Sequence, residues 1–316
     1  MWAIHPSGET LMNKKTAGLS IAAGAALWGI IGLFVSNLYA IGFTPLQVVA
    51  VRAIAASIFL ITYALLRNPN AFKMKLTDSK YFIGTGIISI VFFNWCMFVA
   101  IEETSISVAA ILLYTAPAFV TIFARILFKE KLTTRKVLAL VVTIVGCAFV
   151  VGVFPNFSGT ISLFGLVVGI GSGFFYALYS IFGKFALKKY DSLTVTVYTF
   201  IFAAVAVTPF SGIWNVANLF TDIKAWIYII GLGFLSTMMA FILYTKGLQY
   251  IESSRASIIA TIEPVVAAII GFFIFQETLQ MWQYVGIIMV IAAVIIVQET
   301  SEKLPKKAMI ENETSL

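Results

Sequence analysis

The chain has 316 residues, a formal net charge of +7, 60% apolar residues, 11% charged residues and a mean hydropathy of +0.99. A soluble domain carries about 25% charged residues, so this composition leaves no room for a soluble catalytic or nucleic-acid-binding domain and points to a protein embedded in lipid. With two cysteines and one histidine, His5, the chain offers neither a disulfide framework nor a metal cluster.

Apolar stretches long enough to cross about 30 Å of hydrocarbon as helices are predicted at 17–39, 44–66, 81–99, 105–128, 135–153, 161–186, 192–212, 225–247, 254–275 and 281–298. A transmembrane barrel needs segments of about ten residues with alternating polarity, and these stretches are longer and apolar on every side. The predicted class is therefore an all-α integral membrane protein with ten transmembrane helices. Residues 1–15 form an N-terminal tail, of which 1–11 reads as an over-long start ahead of Met12-Asn13-Lys14-Lys15, and 299–316 form a C-terminal tail. The first apolar segment is too long for a signal peptide and lacks a small-residue cleavage site, so it is expected to remain as a span.

The first five helices recur in the second five at an offset of 147 residues. Pro117 falls on Pro264, Phe128-Lys129-Glu130-Lys131-Leu132 on Phe275-Gln276-Glu277-Thr278-Leu279, and Gly18 and Gly24 on Gly165 and Gly171. The units are 16–153 and 161–298. Five is odd, so the second copy sits upside down relative to the first. Inverted repeats of this kind mark secondary transporters, with the substrate site near the bilayer midplane between the copies.

Charge placement supports the inversion. With both termini in the cytoplasm, eighteen of the 21 Lys and Arg residues fall on the cytoplasmic side and only Lys224 on the outer side, as the positive-inside rule requires. The basic loop 129–136 lies inside, while its image, 276–283, has no Lys or Arg and lies outside. This placement removes any need for a nucleic-acid partner and assigns the chain to the cell membrane as a multi-pass protein.

Charges deep in a span cost about 2.5–3.5 kcal/mol at the centre and are functional by default. Glu263 lies about 13 Å from the cytoplasmic edge of helix nine, at 1.5 Å per residue. Its image is Ala116, so the scaffold does not require it. Arg52 lies about 12 Å from the outer edge of helix two, which puts the two within roughly 5 Å in depth. A structural ion pair, contact with a substrate, and uptake of a coupling proton by Glu263 are all compatible with this placement. Pro117 and Pro264 each remove a mid-span hydrogen bond, leaving carbonyls near Leu113 and Ala260 unpaired. Paired interruptions of this type point to a transporter's binding site. Arg125, at a helix end, is expected to snorkel.

Trp214, Trp226 and Trp282 map to outer helix ends and read as interfacial belt residues. Trp28 and Trp95 lie deeper, with the amide of Asn94 beside Trp95, as do Tyr114, Tyr176, Tyr179 and Tyr244. Trp28, Asn94, Trp95, Tyr114, Tyr176 and Tyr244 join Glu263 and Arg52 as candidate substrate contacts, with ordinary packing the competing reading for each aromatic. Cys96 and Cys147 read as small buried packing residues. Gly165, Gly169 and Gly173 form a close-packing run, and the matched Gly24 and Gly171 suggest a close crossing of helices one and six.

Taken together, the ten spans in two units, Trp28-Gly29, and the endings Pro117…Glu130 and Glu263-Pro264…Glu277 resemble the EamA family of the drug/metabolite transporter superfamily, over roughly 16–298. The resemblance implies a central cavity between inverted units that opens alternately to either side. It also implies that Glu130 and Glu277, motif residues at helix ends, are structural rather than substrate-binding. Glu263 matches a position often occupied by Glu in the family. The expected function is a secondary transporter of a small organic metabolite, with an amino acid or related compound the favoured cargo and export the favoured direction. A channel, a non-transporting scaffold and, last, an intramembrane enzyme are the alternatives. No cofactor or metal is expected; the expected partners are a small-molecule substrate and the bilayer, with a homodimer permitted by membrane-facing glycines.

Overall fold

The computed structural model describes residues 12–152 and 162–299. The expectations for 1–11, for the link between the repeats and for the tail beyond 299 lie outside these residues. Among them the chain is helical, without strands. The first repeat comprises α1 (Lys14–Ile41), α2 (Pro45–Arg67), α3 (Leu76–Glu103), α4 (Ile106–Leu127) and α5 (Thr134–Val150). The second comprises α6 (Leu163–Ala186), α7 (Ser192–Phe210), α8 (Ile223–Tyr250), α9 (Ser253–Ile274) and α10 (Met281–Gln298). Nine of these have at least 18 residues. α5 has 17, or about 26 Å of helix, short for a span and completed by its ends.

The ten predicted helices are therefore present, and their local devices repeat at the same offset. α2 begins at Thr44, whose N–H donates to Gln47 Oε1 at 2.9 Å. α7 begins at the image residue Asp191, whose carboxylate accepts from the Thr194 N–H at 2.6 Å. Each device satisfies a backbone group that a helix start leaves unpaired. After α4 and α9 the chain turns through left-handed residues at Lys129 and Gln276, both with φ 55°. π-helical segments occupy overlapping places in α3 (Ile83–Val91) and α8 (Phe234–Met239).

Packing carries the same symmetry. α1 lies on α8 and α9, and their images α6 on α3 and α4; α2 packs on α8 as α7 packs on α3, while α2–α7 and α5–α10 pair across the two copies. Exchanging the repeats maps this set of pairs onto itself, as a two-fold axis does. With an odd number of spans per copy, that axis makes the repeats inverted. The pairs meet where side chains are smallest. A Cβ on Gly86 would stand 2.4 Å from the Thr199 carbonyl oxygen, and one on the image residue Gly233 2.6 Å from Ala55 Cβ.

Two sequence expectations need correction. Gly24 and Gly171 do not mark a crossing of α1 with α6: Gly24 approaches Ala240 and Tyr244 of α8, and Gly171 approaches Cys96 of α3. Matched glycines reported a repeated contact, not a mutual one. In addition, α1 is interrupted at Ile30, between segments Lys14–Gly29 and Ile31–Ile41, while its image in α6 runs unbroken. Gly165, Gly169 and Gly173 do pack closely, against Thr104, Leu112 and Thr115. Cys96 and Cys147 are buried free thiols, and Trp214, Trp226 and Trp282 are exposed, as belt residues should be.

Candidate substrate cavity

The site begins with the two prolines. Proline donates no backbone hydrogen bond, and three residues before each one the helix breaks. α4 divides into Ile106–Leu113 and Ala116–Leu127, and α9 into Ser253–Ala260 and Ile262–Ile274. Threonines at the breaks satisfy part of the opened ladder. Thr115 Oγ1 donates to the Leu112 carbonyl and Thr261 Oγ1 to the Ile258 carbonyl, each at 2.6 Å. Breaks at equivalent depths aim two helix N-termini, with their partial positive charge, at the space between the repeats.

Two adjoining clefts occupy that space. One is lined by Trp28, Arg52, Phe93, Tyr176, Tyr244 and Phe241, with Ser89 and Ser180 among its polar groups. The other is lined by Tyr114, Pro117, Tyr176, Ser257, Thr261 and Glu263. Tyr176, Ser180 and Tyr244 line both and form the partition. Each cleft leaves about 20 Å³ open to the centre of a water molecule, roughly the space one water needs. The conformation is closed around the site, and a metabolite requires the helices to separate.

The walls are held by aromatic contact and hydroxyl pairs. The Trp28 ring lies 5.0 Å from that of Tyr244 and 4.9 Å from that of Phe241, with Tyr176 at 6.3 Å. Ser180 Oγ and Tyr244 Oη are 2.7 Å apart, and Tyr179 Oη and Thr245 Oγ1 2.6 Å. Three polar groups are left for something else. The Trp28 Nε1–H is buried without a hydrogen-bond partner among the described residues. The Arg52 side chain, 9% exposed, makes none of the ion pairs found among those residues, which involve Lys136, Lys189 and Arg255. Glu263 shares the second cleft with Tyr176 and likewise has no cation in ion-pair contact.

The direct Arg52–Glu263 ion pair offered by the sequence is therefore not formed. The two side chains share a depth but line different clefts, because depth along a helix says nothing about the direction a residue faces. The same geometry separates the aromatics. Trp28, Tyr114, Tyr176 and Tyr244 come together, whereas Trp95 is 52% exposed on the outer surface and lines neither cleft. Asn94 is buried away from the clefts and donates to the Ile90 carbonyl of its own helix at 2.7 Å. Both depart from the sequence expectation. Ser180, Phe93 and Phe241 were not anticipated. Ser180 follows Tyr176 by one helical turn on the same face, a spacing that could have identified it.

An enclosed, mostly apolar cavity with a few convergent polar groups, set at paired helix breaks between inverted repeats, defines a membrane transporter. Comparison with known proteins supplies the family. The EamA-like transporter family model matches residues 15–152 and 163–298, and the chain belongs to that family. Among similar proteins, an "Uncharacterized transporter" of Archaeoglobus fulgidus is 29% identical over 279 residues, covering 88% of this chain and 94% of that protein. "Uncharacterized inner membrane transporter YicL" of Salmonella typhimurium is 22% identical over 302 residues, covering 94% and 99%. A crystal structure of a protein with 14% identity superposes with a TM-score of 0.78 over 93% of this chain and 100% of its own, a likeness of fold.

Proposed function

We propose that this transporter moves a small carboxylate-bearing metabolite that also carries a cationic group, of the amino-acid type, by alternating access, with export as its working direction. The observation that carries this reading is the unpaired Arg52 guanidinium beside the unpaired Trp28 N–H in one cleft, with the Glu263 carboxylate in the next. A buried charge whose counter-charge, Glu263, stays in the neighbouring cleft and out of ion-pair contact is costly, and a substrate carboxylate supplies a closer partner. Glu263 at the other side of the Tyr176–Tyr244 partition is placed to receive an ammonium group, which gives the site a direction along the substrate. In the bilayer, the end bearing Lys129, Lys131 and Lys136 faces the cytoplasm under the positive-inside rule, and the membrane is the cell membrane.

Purified protein in proteoliposomes, loaded with one labelled solute at a time, tests this reading. Saturable exchange is expected for α-amino acids or related zwitterions and not for their esters or decarboxylated amines. Arg52→Met should abolish exchange. Equal flux of acid and ester, or unchanged flux in Arg52→Met, overturns the assignment, and conductance without saturation would favour a channel instead.

A further inference from the structure

The two repeats are built alike but do not stand in the same conformation at their ends. After α4 the left-handed Lys129 turns the chain so that the Glu130 N–H donates to the Ala124 carbonyl at 3.2 Å. After α9 the left-handed Gln276 does the same, and the Glu277 N–H donates to the Gly271 carbonyl at 3.1 Å. Each turn presents a carboxylate on an identical arm.

One arm is engaged. Glu130 Oε1 accepts from the Ser253 N–H at 2.7 Å, and Oε2 accepts from the Ser254 N–H at 3.2 Å and from the Ser254 hydroxyl. This carboxylate thereby fastens the end of α4 to the first turn of α9, where unpaired N–H groups and the helix dipole favour an anion. Ser253 and Ser254 are buried beneath it, at 0% and 1% exposure, and segment Ala116–Leu127 of α4 packs on segment Ser253–Ala260 of α9.

The image is open. By the 147-residue offset, the partners of Glu277 are the N–H groups of Ile106 and Ser107 and the Ser107 hydroxyl, since Ser107 matches Ser254. Glu277 instead lies exposed over Gly271. Ile106 is 70% exposed, and the first turn of α4 is capped by its own Ser105, which accepts from the Val108 N–H at 3.2 Å. Segments Ile262–Ile274 and Ile106–Leu113, images of the pair that packs, have no comparable contact.

We propose that Glu130 and Glu277 are reciprocal latches: Glu130 holds α4 against α9 at the Lys-rich end, as seen here on the wall of a surface cleft of about 500 Å³, and Glu277 on Ile106 and Ser107 holds α9 against α4 at the opposite end when the Lys-rich pair separates. The proposal rests on the alternating-access reading, in which inverted repeats exchange conformations between the two states. It also accounts for which state is seen. Lys136 stands 3.9 Å from Glu130 and 3.0 Å from Glu252. Its image, Gln283, is neutral and bonds to the Val150 carbonyl and the Gln280 N–H. A cation backs one latch only.

Hydrogen–deuterium exchange on the full-length protein in nanodiscs, without any solute, tests this. Wild type should protect 253–257 and leave 104–109 fast. Glu130→Gln should speed exchange at 253–257 about tenfold, the effect of roughly one charge-assisted bond, and slow 104–109 as the opposite end closes. Adding Glu277→Gln should restore fast exchange at 104–109. Should Glu130→Gln fail to fold, Ser254→Ala carries the same comparison with a smaller shift. If 104–109 does not slow, or slows and stays slow in the double variant, the reciprocal latch is wrong. A protein that exchanges as expected yet moves no solute would sink the transport reading and leave the latch standing.

Discussion

Gly24 and Gly171 occupy the same position in the two repeats, and the structure predicts opposite outcomes when each becomes alanine. A Cβ on Gly24 would stand 2.7 Å from the Ala240 carbonyl oxygen and 3.1 Å from the Tyr244 nitrogen, both backbone atoms of α8. Ordinary contact begins at 3.4 Å, so α1 and α8 must separate by about 0.7 Å (3.4 less 2.7), and backbone cannot rotate out of the way as a side chain can. Overpacking of this kind costs about 1–3 kcal/mol. A Cβ on Gly171 meets only Cys96 Sγ at 3.5 Å, within ordinary contact, and replacing a helical glycine gains up to about 1 kcal/mol in propensity. Thermal unfolding in one detergent at one scan rate, as irreversible membrane-protein melts require, should lower the apparent midpoint for Gly24→Ala by roughly 2–10 °C and hold or raise it for Gly171→Ala. Gly24→Ala should also weaken solute binding, because Trp28 and Tyr244 sit on the two helices being forced apart. Equal melting of the two variants, or a silent Gly24→Ala, would refute the assignment of close contact to α8.

Trp28→Phe removes a buried donor with no partner but also part of a packed ring, so the two effects partly offset and stability should fall by no more than about 2 kcal/mol, while KM for solute exchange rises about 2- to 12-fold, the worth of one hydrogen bond; an unchanged KM would mean the indole N–H never meets substrate. Lys136→Ala leaves Glu130 and Glu252 without their shared cation and should cost about 3 kcal/mol, read as a lower melting midpoint, whereas Gln283→Ala at the image position should cost under about 1 kcal/mol. Glu263→Gln should impair exchange of zwitterions far more than of simple carboxylates; equal loss for both would assign Glu263 to the scaffold or to proton coupling, which a collapsed pH gradient then separates.

Helix number, repeat and inversion were legible because they depend on length, apolarity and charge, all of which run along the chain. Pro117 and Pro264 likewise announced the breaks, which fall three residues upstream at Tyr114 and Thr261. What sequence could not supply was azimuth. Trp28 and Trp95 look alike in depth, yet one is 5% exposed beside the clefts and the other 52% on the periphery. Arg52 and Glu263 share a level without touching for the same reason. The Ile30 break in α1 carries no proline or polar signal, and the π segments in α3 and α8 carry only small and hydroxyl residues such as Gly84, Thr85, Ser236 and Thr237, a pattern too common in these helices to single them out. Glu130 was readable as a helix-end residue, but its grip on Ser253 and Ser254 links positions 123 and 124 residues apart, which only the fold reveals.

The exchange of partners between repeats also sets a timetable for biogenesis. α1 begins at Lys14 and its main partner α8 at Ile223, so at about 5–20 residues per second a ribosome needs roughly 10–40 s to deliver the surface on which Gly24 rests. Before that surface arrives, the first half is completed at Val150 without the neighbours that bury it, Arg52 among its residues. The nascent half depends on the insertion machinery to shelter it until the second arrives, and a stop codon between the repeats would yield a substrate for membrane proteolysis, not half a transporter.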